Sequence, residues 1–247
     1  MVALLRRLAA LLLLAFPLAA FPAAAQEDAP PDQAEFENRV RAYLLAHPEV
    51  IVEALQELDR RQQAATEAQR QQTIAERREE LTGSRADPVA GNPDGAVTVV
   101  EFFDYRCPYC KAIAKDVIAT LQAEGDVRIV FKEFPILGPD SEFAARAALA
   151  ADRQGKYLPF HQALMEHKGQ LDEEIVHGIA DEVGLDLERL RKDMAAPEIA
   201  EAISRNIALA NALAIGGTPA FIVGDMLVPG AIDMKTLRDL VAKARSG

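Results

Sequence analysis

The sequence predicts an α/β fold in which a strand-helix-strand unit and a closing β-hairpin are separated by a block of helices, with a helical arm in front. Three observations carry this. Two compact apolar runs, Val97 to Phe103 and Val127 to Phe134, flank an amphipathic stretch that ends near Ala123. A Gly224-Asp225 turn joins two short β-type runs near the C-terminus. Between these parts, from about 138 to 205, one helical pattern follows another.

The elements in chain order begin with a segment that should not fold with the rest. Met1 to Ala25 has a positive start (Arg6, Arg7), an apolar run (Leu8 to Ala15) and small residues before Gln26, the pattern of a secretory signal. A transmembrane anchor is the alternative, but Pro17 and Pro22 follow a run too short to cross a bilayer. Export places the two cysteines in an oxidising compartment. A Pro/Asp/Gln-rich linker, 26–34, follows.

Residues 35–82 read as a helical arm. Phe36, Val40, Tyr43 and Leu44, then Ile51, Ala54, Leu55 and Leu58, recur at helical spacing, and His47-Pro48 splits them into two helices. From Asp59 to Glu80 the single large apolar residue is Ile74, so this part is expected to project as a polar spacer. The apolar stripe then needs another surface, and self-association through 35–82 is expected. A solvated, frayed linker is the alternative.

The domain at 88–247 opens after the breakers Thr82-Gly83-Ser84 and Asp87-Pro88. The strand Val97 to Phe103 runs into Asp104-Tyr105-Arg106-Cys107-Pro108-Tyr109-Cys110 and a helix. In the helical block Ser141 is expected to cap the first helix, and His161, His167 and His177 are read as ordinary helix-surface residues. Pro219 then begins a β-type run, where a proline sits only at a start or an edge, and its bond to Thr218 is a candidate for cis.

Chain-wide composition narrows the partners. With 27 Lys+Arg against 38 Asp+Glu the formal charge is −11, and losing Arg6 and Arg7 with the signal takes it to 25 − 38 = −13. Such a balance disfavours a nucleic-acid partner. Two cysteines make neither a disulfide-dense scaffold nor a four-thiolate zinc site.

Their placement is the strongest chemical signal. A sulfur at a helix start faces unpaired backbone N–H groups and the positive end of the helix dipole, which favours the thiolate; Cys107 has that position, with Pro108 as a preorganised first helical residue. Cys110, three residues on and beyond Tyr109, shares the helical face and can resolve a mixed disulfide formed on Cys107. Three other readings stay open: a buried structural pair, an inert surface disulfide, and a zinc or copper site completed by His161 and His167.

Residues 88–247, with CPYC after a strand, a Gly217-Thr218-Pro219 loop before the hairpin and a helical insert at about 138–205, resemble a thioredoxin-fold protein of the DsbA type. The arm, with Arg41-Ala42-Tyr43-Leu44-Leu45 and Pro48-Glu49-Val50-Ile51, resembles the N-terminal region of the suppressor-of-copper-sensitivity C (ScsC) proteins. The resemblance implies a thioredoxin fold and an exported, periplasmic thiol-disulfide oxidoreductase or isomerase that acts on unfolded or misoxidised clients and exchanges electrons with a membrane redox partner. It implies no cofactor beyond the Cys107–Cys110 disulfide and no metal. A copper- or zinc-binding thiol chaperone is the alternative, and a glutaredoxin-like reductase a further one.

The resemblance also suggests roles for particular residues. Cys107 is the nucleophile, Cys110 the resolving thiol and Pro219 a cis-proline opposite them; the Thr218 backbone holds an extended substrate by strand addition. Glu101, a carboxylate in a covered strand, is a buried acid assisting proton transfer near the second thiol, with Lys132 its possible partner; an exposed edge position is the alternative. Strongly oxidising relatives carry histidine where this chain has Tyr109, and Arg106 is a candidate to supply some of the missing positive charge.

Overall fold

The structure, a computed structural model, describes residues 32–246. The expected signal at 1–25 and residues 26–31 of the linker expected at 26–34 lie outside the described residues, and the linker's last two residues, Gln33 and Ala34, already belong to the first helix. The chain divides into two compact units between Leu58 and Asp59.

The first unit holds α1 (Gln33–Ala46) and the opening turns of α2 (Glu49–Glu76). His47-Pro48 breaks the helix as expected: the His47 N–H closes α1 on the Tyr43 carbonyl at 2.8 Å, and Pro48 cannot extend it. No residue of α1 is buried. Phe36, Val40, Tyr43 and Leu45, with Ile51, Val52, Leu55 and Leu58 of α2, stand exposed.

The second unit starts within α2 and continues through α3 (Arg78–Thr82) into a five-stranded sheet. Here the polar spacer expected to reach Glu80 is corrected. Ile74 is 2% exposed and Leu81 1%, both packed with Val100, Phe102, Val130 and Ile222. Ile74, near the end of α2, and Leu81, in α3, both reach that core, and these two contacts seat the end of the arm on the sheet.

The strands are β1 (Val89–Gly91), β2 (Val97–Phe103), β3 (Val127–Glu133), β4 (Ala220–Val223) and β5 (Met226–Pro229), in the order β1-β3-β2-β4-β5. Only β2 and β3 are parallel, and α4 (Pro108–Ala123) makes the crossover between them. The hairpin turns on Gly224, whose φ of 65° is a left-handed conformation that favours glycine.

Alternation along the strands sorts the two cores. Val97, Val99, Phe103, Val127, Ile129, Phe131, Phe221 and Val223 face the larger core, which α4, the helical insert and α10 (Met234–Ser246) cover. Val100, Phe102, Val130, Ala220 and Ile222 face the smaller one, covered by Ile74, Leu81 and, from the helix at Pro197–Ala212, Leu209 and Ala210. With both faces buried, the strands read as continuous apolar runs.

The insert comprises α5 (Pro139–Asp152), α6 (Tyr157–Glu166), α7 (Glu173–Glu182) and α8 (Leu187–Met194), followed by α9 (Pro197–Ala212). Asp172 and Asp186 cap α7 and α8 by accepting from Ile175 N and Arg189 N, each at 3.0 Å. Ser141 is not the cap of α5. Gly138 holds that position, and Ser141, one turn in, is fully buried with its hydroxyl turned to Asp104.

Candidate active site

The site is built where β2 ends and α4 begins. Cys107 is the N-cap of α4, with Pro108 in the first turn, because proline supplies a helical φ and needs no N–H partner there. The Cys107 Sγ accepts from Cys110 N at 3.4 Å and donates to the Thr218 carbonyl at 3.2 Å. That contact sets the loop before β4 against the sulfur, and the Thr218-Pro219 bond in it is cis. Tyr109, between the cysteines, is 67% exposed.

Both cysteines are buried, but not equally. Cys107 retains 4% exposure and Cys110 none. Burial raises the Cys110 thiol far above its ordinary range; charge on Cys107 and Glu101 adds to the rise, and a backbone hydrogen bond from Asp104 opposes it. Lys111, the next residue, donates to the Leu164 and His167 carbonyls at 2.6 and 3.0 Å, closing α6, and its own burial pulls it down to about 8.

Glu101 is buried in the larger core, and its Oε1 has no hydrogen-bond partner. Desolvation pushes it up to about 8, so it is a neutral acid at pH 7. The exposed-edge reading is thereby excluded. Lys132 is not its partner. In the β2-β3 register Lys132 stands opposite Phe102 while Glu101 stands opposite Phe131, so the two side chains leave opposite faces. Lys132 instead pairs with Asp87 and donates to the Glu80 carbonyl at 2.6 Å.

Arg106 gives its charge elsewhere too. Its guanidinium donates to the Leu137 carbonyl at 2.9 Å and lies 3.6 Å from Asp140, bridging to the start of α5.

Four residues to which the sequence reading gave no role, Asp104, Tyr105, Glu133 and Tyr157, organise the site. Asp104 accepts four hydrogen bonds: Arg106 N (2.7 Å) and Ser141 Oγ (2.8 Å) on Oδ1, Ile136 N (2.8 Å) and Leu137 N (3.0 Å) on Oδ2. It ties the CPYC loop to the segment after β3. Tyr105 and Tyr157 donate to Glu133 Oε1 at 3.0 and 2.9 Å, and Tyr105 Oη lies 3.0 Å from His161 Nδ1. Burial raises Glu133 well above the usual carboxylate range and lowers His161 to about 3, so both are neutral.

His161 is thus a buried residue, 1% exposed, and not the surface histidine expected. His167 lies 3.1 Å from the Gln170 carbonyl through its Nε2. Among the described residues no group of three or more His, Cys, Asp or Glu side chains is placed to hold a metal ion, nor is any helix long and apolar enough to cross a membrane.

Residues 98–242 match the DSBA-like thioredoxin domain, and residues 32–65 match the copper resistance protein ScsC N-terminal domain. A thioredoxin-like oxidoreductase from Silicibacter pomeroyi is 51% identical, with a TM-score of 0.67 over 69% of this chain and 98% of that one. The thiol-disulfide exchange protein α-DsbA2 of Wolbachia pipientis is 33% identical, with a TM-score of 0.68 over 72% and 97%. A linker-deletion variant of Proteus mirabilis ScsC is 27% identical, with a TM-score of 0.68 over 93% and 99%. Among curated relatives, the Na+/H+ antiporter NhaA 1 of Salinispora arenicola is 32% identical over 163 residues, which are 65% of this chain. The match spans only 25% of the antiporter.

Proposed function

The chain belongs to the DSBA-like thioredoxin domain family, and on that premise we propose that it is an exported protein thiol-disulfide oxidoreductase or isomerase, exchanging disulfides with client proteins through Cys107 and Cys110. The observation that carries the proposal is the inequality of the two cysteines at one helix start: Cys107, 4% exposed, stands against a cis-proline loop, and Cys110 is fully buried.

In the oxidising direction a client thiolate attacks Cys107 Sγ of the disulfide, forming a client–Cys107 bond and expelling Cys110. The departing sulfur is poorly placed to keep a charge, because it is buried. Glu101, neutral below about pH 8, can give it a proton. A second client thiolate then attacks the client sulfur and releases Cys107. Two electrons pass from client to protein, one client disulfide forms, and a membrane redox partner removes the electrons. Isomerisation starts from the dithiol: Cys107 attacks a wrong client disulfide, and a different client thiolate later displaces it, with no net electron transfer.

The client segment sits extended against the Thr218 backbone by strand addition. Thr218 O accepts from Cys107 Sγ at 3.2 Å, and this proximity supports the seating.

The exposed apolar face of α1 and early α2 supports self-association through the arm. Facing several sites toward one client favours isomerisation. Export to the periplasm rests on Met1 to Ala25.

Refolding of reduced and of scrambled ribonuclease by the signal-free protein tests the reading. Gain of native activity with the wild type and none with Cys107→Ser is expected. Inactivity of the wild type in both assays defeats it.

A further inference from the structure

Behind the cis-proline loop lies a cavity of about 150 Å³ in the second unit, lined on one side by Arg70 of α2 and on the other by Gly216, Gly217, Thr218, Pro219 and Leu227. A space of this order holds a group the size of a benzene ring. The Arg70 Nε is buried without a hydrogen-bond partner. Its Nη1 lies 3.9 Å from Glu67 Oε2, beyond hydrogen-bonding distance, and the Glu67 side chain is 45% exposed. A cation with an unanswered, desolvated donor therefore borders the loop on which a client segment is proposed to rest.

The walls say what could fill the space. Apart from Arg70, no lining residue carries a charge, so a second cation there has no anion in the walls to meet. A Cβ added at Gly216 or Gly217 would meet nothing within 4 Å, so the loop presents bare backbone along this stretch and leaves room for a passing chain. The Arg70 side chain is 27% exposed, so only its Nε is sealed off; the acceptor that answers a partly buried guanidinium best is a carboxylate, which pairs with it by both charge and geometry.

We propose that this cavity is a client subsite in which Arg70 receives an Asp or Glu side chain carried a few residues from the client cysteine. The last turns of α2 are then part of the client-binding surface and act as a specificity element. The inference rests on the proposed seating of the client on Thr218.

The test uses the signal-free full chain in its oxidised form and single-cysteine peptides, matched except for Asp or Lys at each position two to five residues on either side of the cysteine. Mixed-disulfide formation is timed for each pair. The expected wild-type result is a preference for Asp of about fivefold to tenfold, confined to positions on one side. Arg70→Gln removes the preference, Arg70→Lys keeps part of it and Arg70→Glu reverses it. Each ratio is taken within one variant, so loss of folded protein cancels. Equal rates for Asp and Lys in the wild type, or a preference that survives Arg70→Gln, overturns the subsite. Peptides N-methylated where they would pair with Thr218 separate the two ideas. If methylation slows exchange while charge has no effect, the subsite alone is wrong; if methylation has no effect, the seating beneath it is wrong.

Discussion

Glu101 and Lys132 stand one register step apart on neighbouring parallel strands, and the sheet itself separates their side chains. Opposite charges that the sequence invites one to pair have solved burial independently. Lys132 found Asp87 and the Glu80 carbonyl on the smaller core, and Glu101 gave up its charge on the larger one.

Lys132 is therefore expected to matter for stability. Lys132→Met strands Asp87, which is itself buried, and should cost about 3–5 kcal/mol in urea unfolding. Lys132→Met combined with Asp87→Leu should recover most of that loss, because the uncompensated charge is gone. A single variant as stable as the wild type would remove the pair from the account.

Glu101 should be visible in the pH dependence of stability. Burial pushes its carboxyl up to about 8 in the folded chain, against 4.5 for a solvated glutamate. Between those values the folded chain holds a proton that the unfolded chain has lost, so its contribution to stability is intact below about 4.5, falls as pH rises, and levels off above about 8. Unfolding of the reduced protein at pH 5 and pH 8 should show wild type losing ground to Glu101→Gln by up to ~1.4 kcal/mol per pH unit. Exchange rates should lose an inflection near pH 8 in the same variant. Parallel stability curves and an unshifted rate profile would assign Glu101 no proton.

The unequal sulfurs predict unequal traps. Cys110→Ser should accumulate a client adduct on Cys107, seen by mass spectrometry without reductant, and Cys107→Ser should accumulate none. Brief iodoacetamide treatment of the folded dithiol should label Cys107 alone, since Cys110 has no exposed surface. Equal labelling would contradict the assignment.

Two truncations should separate the roles of the arm. Removal through Leu58 leaves Ile74 and Leu81 in the core, so the product should fold and, by sedimentation, be a monomer even if the full chain associates. Removal through Leu81 takes both residues out of the core and should cost about 2–5 kcal/mol for each. A full chain that already sediments as a monomer would rule out self-association.

Legibility followed burial. Strands β2 and β3 were readable because both of their faces are covered, which leaves long apolar runs. The CPYC helix start was readable because cap, proline and cysteine spacing agree. β1 escaped because it has three residues and draws its order from pairing with β3. His161 was misread although a signal was present: Tyr157, Phe160, His161 and Leu164 form one helical stripe, and all four are buried. Glu133 repeats the pattern that singled out Glu101, a carboxylate inside an apolar run, here Val127 to Phe134, and the same argument applied to β3 would have found it. Asp104 carried no such signal, since its four donors come from residues that only the folded chain brings to it.

One consequence of the Cys107 cap concerns thermodynamic cycles. The sulfur that accepts the Cys110 N–H is also the sulfur that changes oxidation state, so α4 is nucleated by an electrode. Folding and reduction then share a closed loop of four states, and any difference in cap strength between dithiol and disulfide must reappear in the midpoint potential, ~30 mV for every ~1.4 kcal/mol. Two denaturation curves, one for each oxidation state, together with the potential of the unfolded chain, would give this protein's redox poise without a redox buffer touching the folded form.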